Sequence, residues 1–243
     1  MPCVNCGHAN TIRAHLLPQV FCKEVQVGKA HATSVLKNGS FHPSQSGTFD
    51  PGILCANCDN KLGALENYAS TVLADIRQDA VGKPDGTYVA PPILSDDILR
   101  FCAGILWKCS ITNNSFGRIN LGAYQERLRQ VAFREANVPA SLDAVMIRLR
   151  LSSADDSVFA YRAPSPDRKF GVNLYRLVVG GVLFLIRLDQ RSIEDCNLRL
   201  LWLRGVEQVK YLILPASHFE EFRIPQDLVA TNPKLSLFLE KQE

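Results

Sequence analysis

The chain has 243 residues, enough for one large domain or two small ones around a real hydrophobic core. Hydrophobic residues make up 47%, charged residues 21%, and the formal net charge is +3. That composition excludes a disordered chain, and the charge is too small to argue for a nucleic-acid partner by itself. Met1-Pro2-Cys3-Val4-Asn5-Cys6 has neither the basic start nor the apolar run of a signal peptide, and no apolar stretch approaches the ~20 residues that span a bilayer. The longest, residues 177–186, contains Gly180-Gly181 and reads as a buried strand. The expectation is a cytoplasmic protein with no membrane partner.

Two regions follow from the pattern along the chain. The first, residues 1–78, holds two Cys-x-x-Cys pairs, Cys3/Cys6 and Cys55/Cys58. Between them, residues 39–52 are rich in Ser, Gly, Pro and Phe and predict a long loop. A helix is predicted after Cys58, capped by Asp59 or Asn60, with Leu62, Leu65, Tyr68, Ala69, Val72 and Ile76 as its apolar stripe. Residues 79–92, with Gly82-Lys83-Pro84-Asp85-Gly86 and Pro91-Pro92, read as a linker or exposed turn. The second region, residues 93–243, opens with helices predicted over 95–110 and 121–136. The period then changes to that of strands over 144–151, 158–162, 173–179, 182–189 and 209–214, with Gly180-Gly181 as a hairpin turn. Helices followed by an antiparallel sheet make the chain α+β.

The paired cysteines carry the strongest chemical signal. Zinc favours four tetrahedral ligands, thiolates above all in structural sites, and a Cys-x-x-Cys turn aims two sulfurs at one point. A single pair is also compatible with redox chemistry, but two pairs in one short region without a thioredoxin-like strand pattern argue for a metal. The intervening segment, residues 7–54, is longer than that of many zinc ribbons. The other four cysteines, Cys22, Cys102, Cys109 and Cys196, read as small buried hydrophobes. His15, in Arg13-Ala14-His15-Leu16-Leu17-Pro18, is on its own a half-buried strand histidine or an alternative zinc ligand.

Taken together, Cys3-Val4-Asn5-Cys6-Gly7, Ala14-His15-Leu16-Leu17-Pro18 and Leu54-Cys55-Ala56-Asn57-Cys58-Asp59-Asn60-Lys61 resemble the zinc-stabilised HNH endonuclease superfamily, over about the first seventy residues. The resemblance implies a treble-clef-like ββα-metal module with Cys3, Cys6, Cys55 and Cys58 on structural Zn²⁺. It also implies a site for Mg²⁺ or Mn²⁺ and a histidine, His15, that activates water for DNA cleavage. Asp59 would bind the catalytic cation or cap the helix. Glu66 would reach the site from the helix or remain a surface charge. Active members often have an acidic residue before the histidine, where this chain has Ala14, and their orienting Asn has no clear counterpart, Asp50 lying nearest. His31 and His42 are loop residues that could replace a missing ligand.

The second region carries no recognisable motif. Arg148, Arg150, Arg162, Arg168, Lys169, Arg176 and Arg187 fall on or beside predicted strands, either as a basic face for phosphates, with Arg148 and Arg150 as DNA contacts, or as the solvated side of a sheet. Besides a structural or interaction protein whose second domain carries the activity, two functions are therefore expected. One is a metal-dependent nuclease acting on DNA, with a role in defence against foreign DNA. The other is a catalytically inactive zinc module that binds nucleic acid or a protein partner.

Overall fold

The computed structural model describes residues 1–26, 28, 30–33, 42–154, 156–169, 171–191, 193, 198 and 200–241. The protein is a mixed α+β fold in which helices pack on both faces of a six-stranded sheet. Cys196 lies outside the described residues, and of His31 and His42 only the backbone is described.

Near the N-terminus, β1 (Ala14–His15) pairs antiparallel with β4 (Phe49–Asp50), and α1 (Gln19–Lys23) follows β1 directly. β2 (His31–Thr33) and, inside the segment predicted as loop, β3 (His42–Ser44) form a second small ladder, which places the backbones of His31 and His42 in strands. The long helix α2 (Ala56–Ala80) buries Leu62, Leu65, Ala69, Val72, Leu73 and Ile76, close to the predicted stripe. It begins three residues before Asp59, so Cys55 occupies the N-cap position and Asp59 sits in the first turn.

α3 (Ser95–Ile111) is buried on every side from Ile98 to Ser110, as expected of a helix sandwiched between other elements. It packs against α2, α4 (Tyr124–Ala132) and the sheet. Gly104 makes the crossing close: a Cβ there would already touch Leu62 and Ala132. α4 covers only the middle of the predicted 121–136 helix.

The sheet runs β5 (Gly86–Val89), β10 (Lys210–Pro215), β6 (Leu142–Arg150), β9 (Val182–Leu188), β8 (Val172–Val179), β7 (Arg162–Lys169). Three sequence expectations change here. The sheet is mixed, because β10 runs parallel to β6. The predicted strand over 158–162 begins only at Arg162 and extends to Lys169. The stretch read as a linker supplies the edge strand β5, hydrogen-bonded to β10, and one continuous buried cluster joins Cys3, Leu54 and Leu62 to Phe184 and Ile213. The Gly180-Gly181 hairpin turn is as predicted, with φ of 56° and 70°. Gly181 also lies against the Arg148 guanidinium, which a Cβ there would force to move.

β6 is buried along its whole length because both faces of the sheet are covered. Ala144 and Met146 face the helices, while Val145, Ile147 and Leu149 pack with Ala216, Phe222 and Phe159 on the far side. There α5 (Glu220–Thr231) is docked by a two-bond fork from buried Arg176 to the carboxylate of Glu221, and α6 (Pro233–Glu240) follows. Among the described residues, no helix is long and apolar enough to cross a membrane.

Burial overturns the expected role of Arg148 and Arg150. Both lie inside, at 1% and 7% exposure. Arg148 donates to the carbonyls of Leu149, Gly181 and Ser157, at 2.8, 3.2 and 3.0 Å. Arg150 donates to the carbonyls of Ala80 and Lys83 and pairs with Asp85. These cations tie β6 to the hairpin turn and to the end of α2, and they present no surface to phosphates. Arg148→Met should therefore cost at least about 1–3 kcal/mol, because buried carbonyls lose their donors. Urea melts check this. Unchanged stability together with weakened DNA binding would restore the basic-face reading.

Candidate metal centre and the adjoining charged cluster

The first cysteine pair is shaped by a tight turn. The Gly7 amide donates to the Cys3 carbonyl at 2.8 Å, and Gly7 takes φ of 75°, which costs glycine little. The second pair is made by the start of α2: Cys55 at the N-cap and Cys58 three residues later share one face. The helix N-terminus also favours negative charge on those sulfurs. Backbone bonds from Val4 to Ile53 and from Ile12 to Leu54 hold the two segments side by side.

The four Sγ atoms all lie within 4.8 Å of one another. Cys6 and Cys55 are 3.7 Å apart, far beyond the ~2.05 Å of a disulfide. A tetrahedron with Zn–S bonds of about 2.3 Å has edges of roughly 3.8 Å. The donor set thus fits a four-thiolate metal ion, and Cys3, Cys6, Cys55 and Cys58 would hold it. No other group of three or more His, Cys, Asp or Glu residues among those described gathers its ligand atoms in this way.

The thiols differ in their acidity. Burial opposes ionisation of Cys3, but backbone amides of Cys55, Cys6 and Asn5 outweigh it and hold the thiol at about 6. Burial, with hydrogen bonding among the cysteines, pushes Cys58 up to about 12. A bound cation would deprotonate all four. Asn5 donates to Cys58 Sγ at 3.2 Å and is itself held by Arg129 of α4, 2.8 Å from its Oδ1. This support of a metal-site sulfur from the second region has no signature in the Cys-x-x-Cys spacing.

Directly beside the cysteines, a second cluster forms around His15. Its ring meets the edge of Phe49 at 6.1 Å, and its Nε2 is buried without a hydrogen-bond partner. Burial lowers its pKa below 6.5, and the Lys108 ammonium adds to that, while Asp59 and Glu66 oppose it. Asp59 is pushed up from the usual carboxylate range by burial and by Glu66, against the pull of Lys108 and His15. His15, Asp59 and Glu66 thus share one electrostatic neighbourhood, assembled from the end of β1 and two turns of α2.

Lys108 is the member that sequence reasoning missed. It comes from α3, is 1% exposed, and donates from Nζ to the His15 carbonyl at 2.8 Å and to Glu66 Oε1 at 2.5 Å. One signal was available: a single cation in the otherwise apolar run Ile105-Leu106-Trp107-Lys108-Cys109. Ala14 is fully buried and offers no ligand. Asp50 is turned elsewhere, accepting from Thr112, Asn113 and Gly52, and so anchors β4 to the end of α3.

The remaining described cysteines behave as predicted. Cys22, Cys102 and Cys109 are buried, and burial pushes Cys22 up to about 11 and Cys109 to about 12. Thiols held this far above neutral pH are inert. No protein-family model matches the chain, and neither the curated proteins nor the solved structures contain a significant match.

Proposed function

We propose that the protein is an HNH-type endonuclease cleaving DNA phosphodiester bonds, with the β1–β4 pair and α2 as a ββα-metal module held by structural zinc. The observation that supports this reading is that His15, Asp59 and Glu66 share one electrostatic neighbourhood beside the four-cysteine centre. A histidine held neutral at pH 7 can accept a proton from attacking water. Burial and then the Lys108 ammonium help to keep His15 neutral, while Asp59 and Glu66 oppose them. A defence role against foreign DNA is consistent with this chemistry.

The resemblance also implies Mg²⁺ or Mn²⁺ in the catalytic site, and the residues present do not fit it as they stand. Ala14 removes one carboxylate, and Glu66 is already bonded to Lys108. No step is therefore assigned to a second metal.

The same two facts, with the closed-off His15 Nε2, favour a second reading: a catalytically inactive zinc module serving binding to nucleic acid or a protein partner. Incubating the zinc-loaded protein with supercoiled plasmid, with and without Mg²⁺ or Mn²⁺, separates the two. Nicking is expected of the nuclease. Intact plasmid under every condition would leave the binding module.

A further inference from the structure

A buried ammonium is costly unless its three donors find strong acceptors. Lys108 is the one charged residue between Ile105 and Ile111 in α3, and it spends two donors on the cluster. Its partners are the Glu66 carboxylate and the carbonyl of His15, oxygens of the kind that hard divalent cations take as ligands. A divalent ion on Glu66 would meet the ammonium at close range, and like charges in a poorly solvated site repel strongly.

We propose that Lys108 is the resident cation between Glu66 and the His15 carbonyl and sets the cation preference of that place, so that a divalent ion binds there only by displacing the lysine. This rests on the HNH-like reading of the same cluster. Lys108 then acts as a positioning residue. It fixes Glu66 against α3 and holds the end of β1 through a main-chain carbonyl, whatever the His15 ring does.

The test uses the full-length, zinc-loaded chain and Mn²⁺ alone, followed by electron paramagnetic resonance of the free ion. Lys108→Met leaves Glu66 without its counter-charge, so this variant should bind Mn²⁺ at least tenfold more tightly than wild type. Its melting midpoint should rise with added Mn²⁺, while the wild-type midpoint stays level. Lys108→Met/Glu66→Gln removes both charges, and it should fold without Mn²⁺ and show no such response. A Lys108→Met protein that gains no Mn²⁺ affinity, or that stays unfolded in millimolar Mn²⁺, overturns the proposal. Plasmid nicking is read in parallel. Tighter Mn²⁺ binding without cleavage by either protein supports the role of Lys108 and removes the nuclease reading. Cleavage by wild type with unchanged Mn²⁺ affinity in Lys108→Met removes that role and leaves the nuclease reading in place.

Discussion

Replacing Cys55 with Ser should strip the metal and unfold the N-terminal segment, while the sheet survives. Structural zinc in small modules contributes about 10–16 kcal/mol of apparent binding free energy, comparable with the whole stability of an ordinary domain. Around residues 1–16 little else could replace it. Besides Ala14 and Leu16, which are buried in the shared core, the segment has only the two-residue strand β1, a few backbone bonds to Ile53 and Leu54, and an exposed Val4 and Ile12. The sheet and α3, by contrast, supply most of the shared core and the whole of the second cluster on the far face, neither of which depends on the metal. Limited proteolysis should therefore cut the Cys55→Ser variant ahead of α2 and spare residues beyond Ser95. Chelation of wild type should give the same pattern, and equal protease resistance with and without metal would refute a structural role for it.

The second large effect is kinetic. His15→Ala should lower DNA cleavage by about 10²–10⁴, the usual cost of losing a general base. The fold should tolerate the change. Lys108 bonds to the carbonyl of residue 15, which alanine keeps, and His15 Nε2 has no partner to lose. Zinc content should be unchanged. The pH profile adds a check with a definite sign. Burial depresses the His15 pKa, so the unprotonated, active form persists below 6.5. Activity should fall only as pH drops through that lowered value, and the acid limb should vanish in the variant's residual activity. Equal cleavage by His15→Ala would take the histidine out of the mechanism.

The sequence made some of this legible and hid the rest for physical reasons. The Cys-x-x-Cys pairs name their ligands because two residues of turn leave the sulfurs little choice of direction. The stripe of α2 and the Gly180-Gly181 turn were readable because helical period and positive φ are local properties. The linker reading of residues 79–92 failed because β5 pairs with β10, more than 120 residues away, and nothing local in Gly86-Thr87-Tyr88-Val89 announces a partner. Arg148 and Arg150 were misplaced because alternation on a strand gives the two faces but not what covers them. Here α2 and the hairpin turn cover the arginine face and supply carbonyl acceptors. Lys108 escaped because its meaning depends on α3 crossing α2 at Glu66, a tertiary fact. Asp59 and Glu66 could be placed on one helix face from their seven-residue spacing, whereas the pairing of Glu66 with Lys108 of α3 could not.

Both functional readings depend on the four-cysteine centre, since it positions β1 and the start of α2 around His15. X-ray absorption at the zinc edge of the purified protein, with total metal analysis, addresses that centre most directly. The expected result is one zinc per chain surrounded by four sulfurs at about 2.3 Å. An N-terminal segment that folds without metal, or a scattering shell containing nitrogen or oxygen in place of one of the four sulfurs, would contradict it.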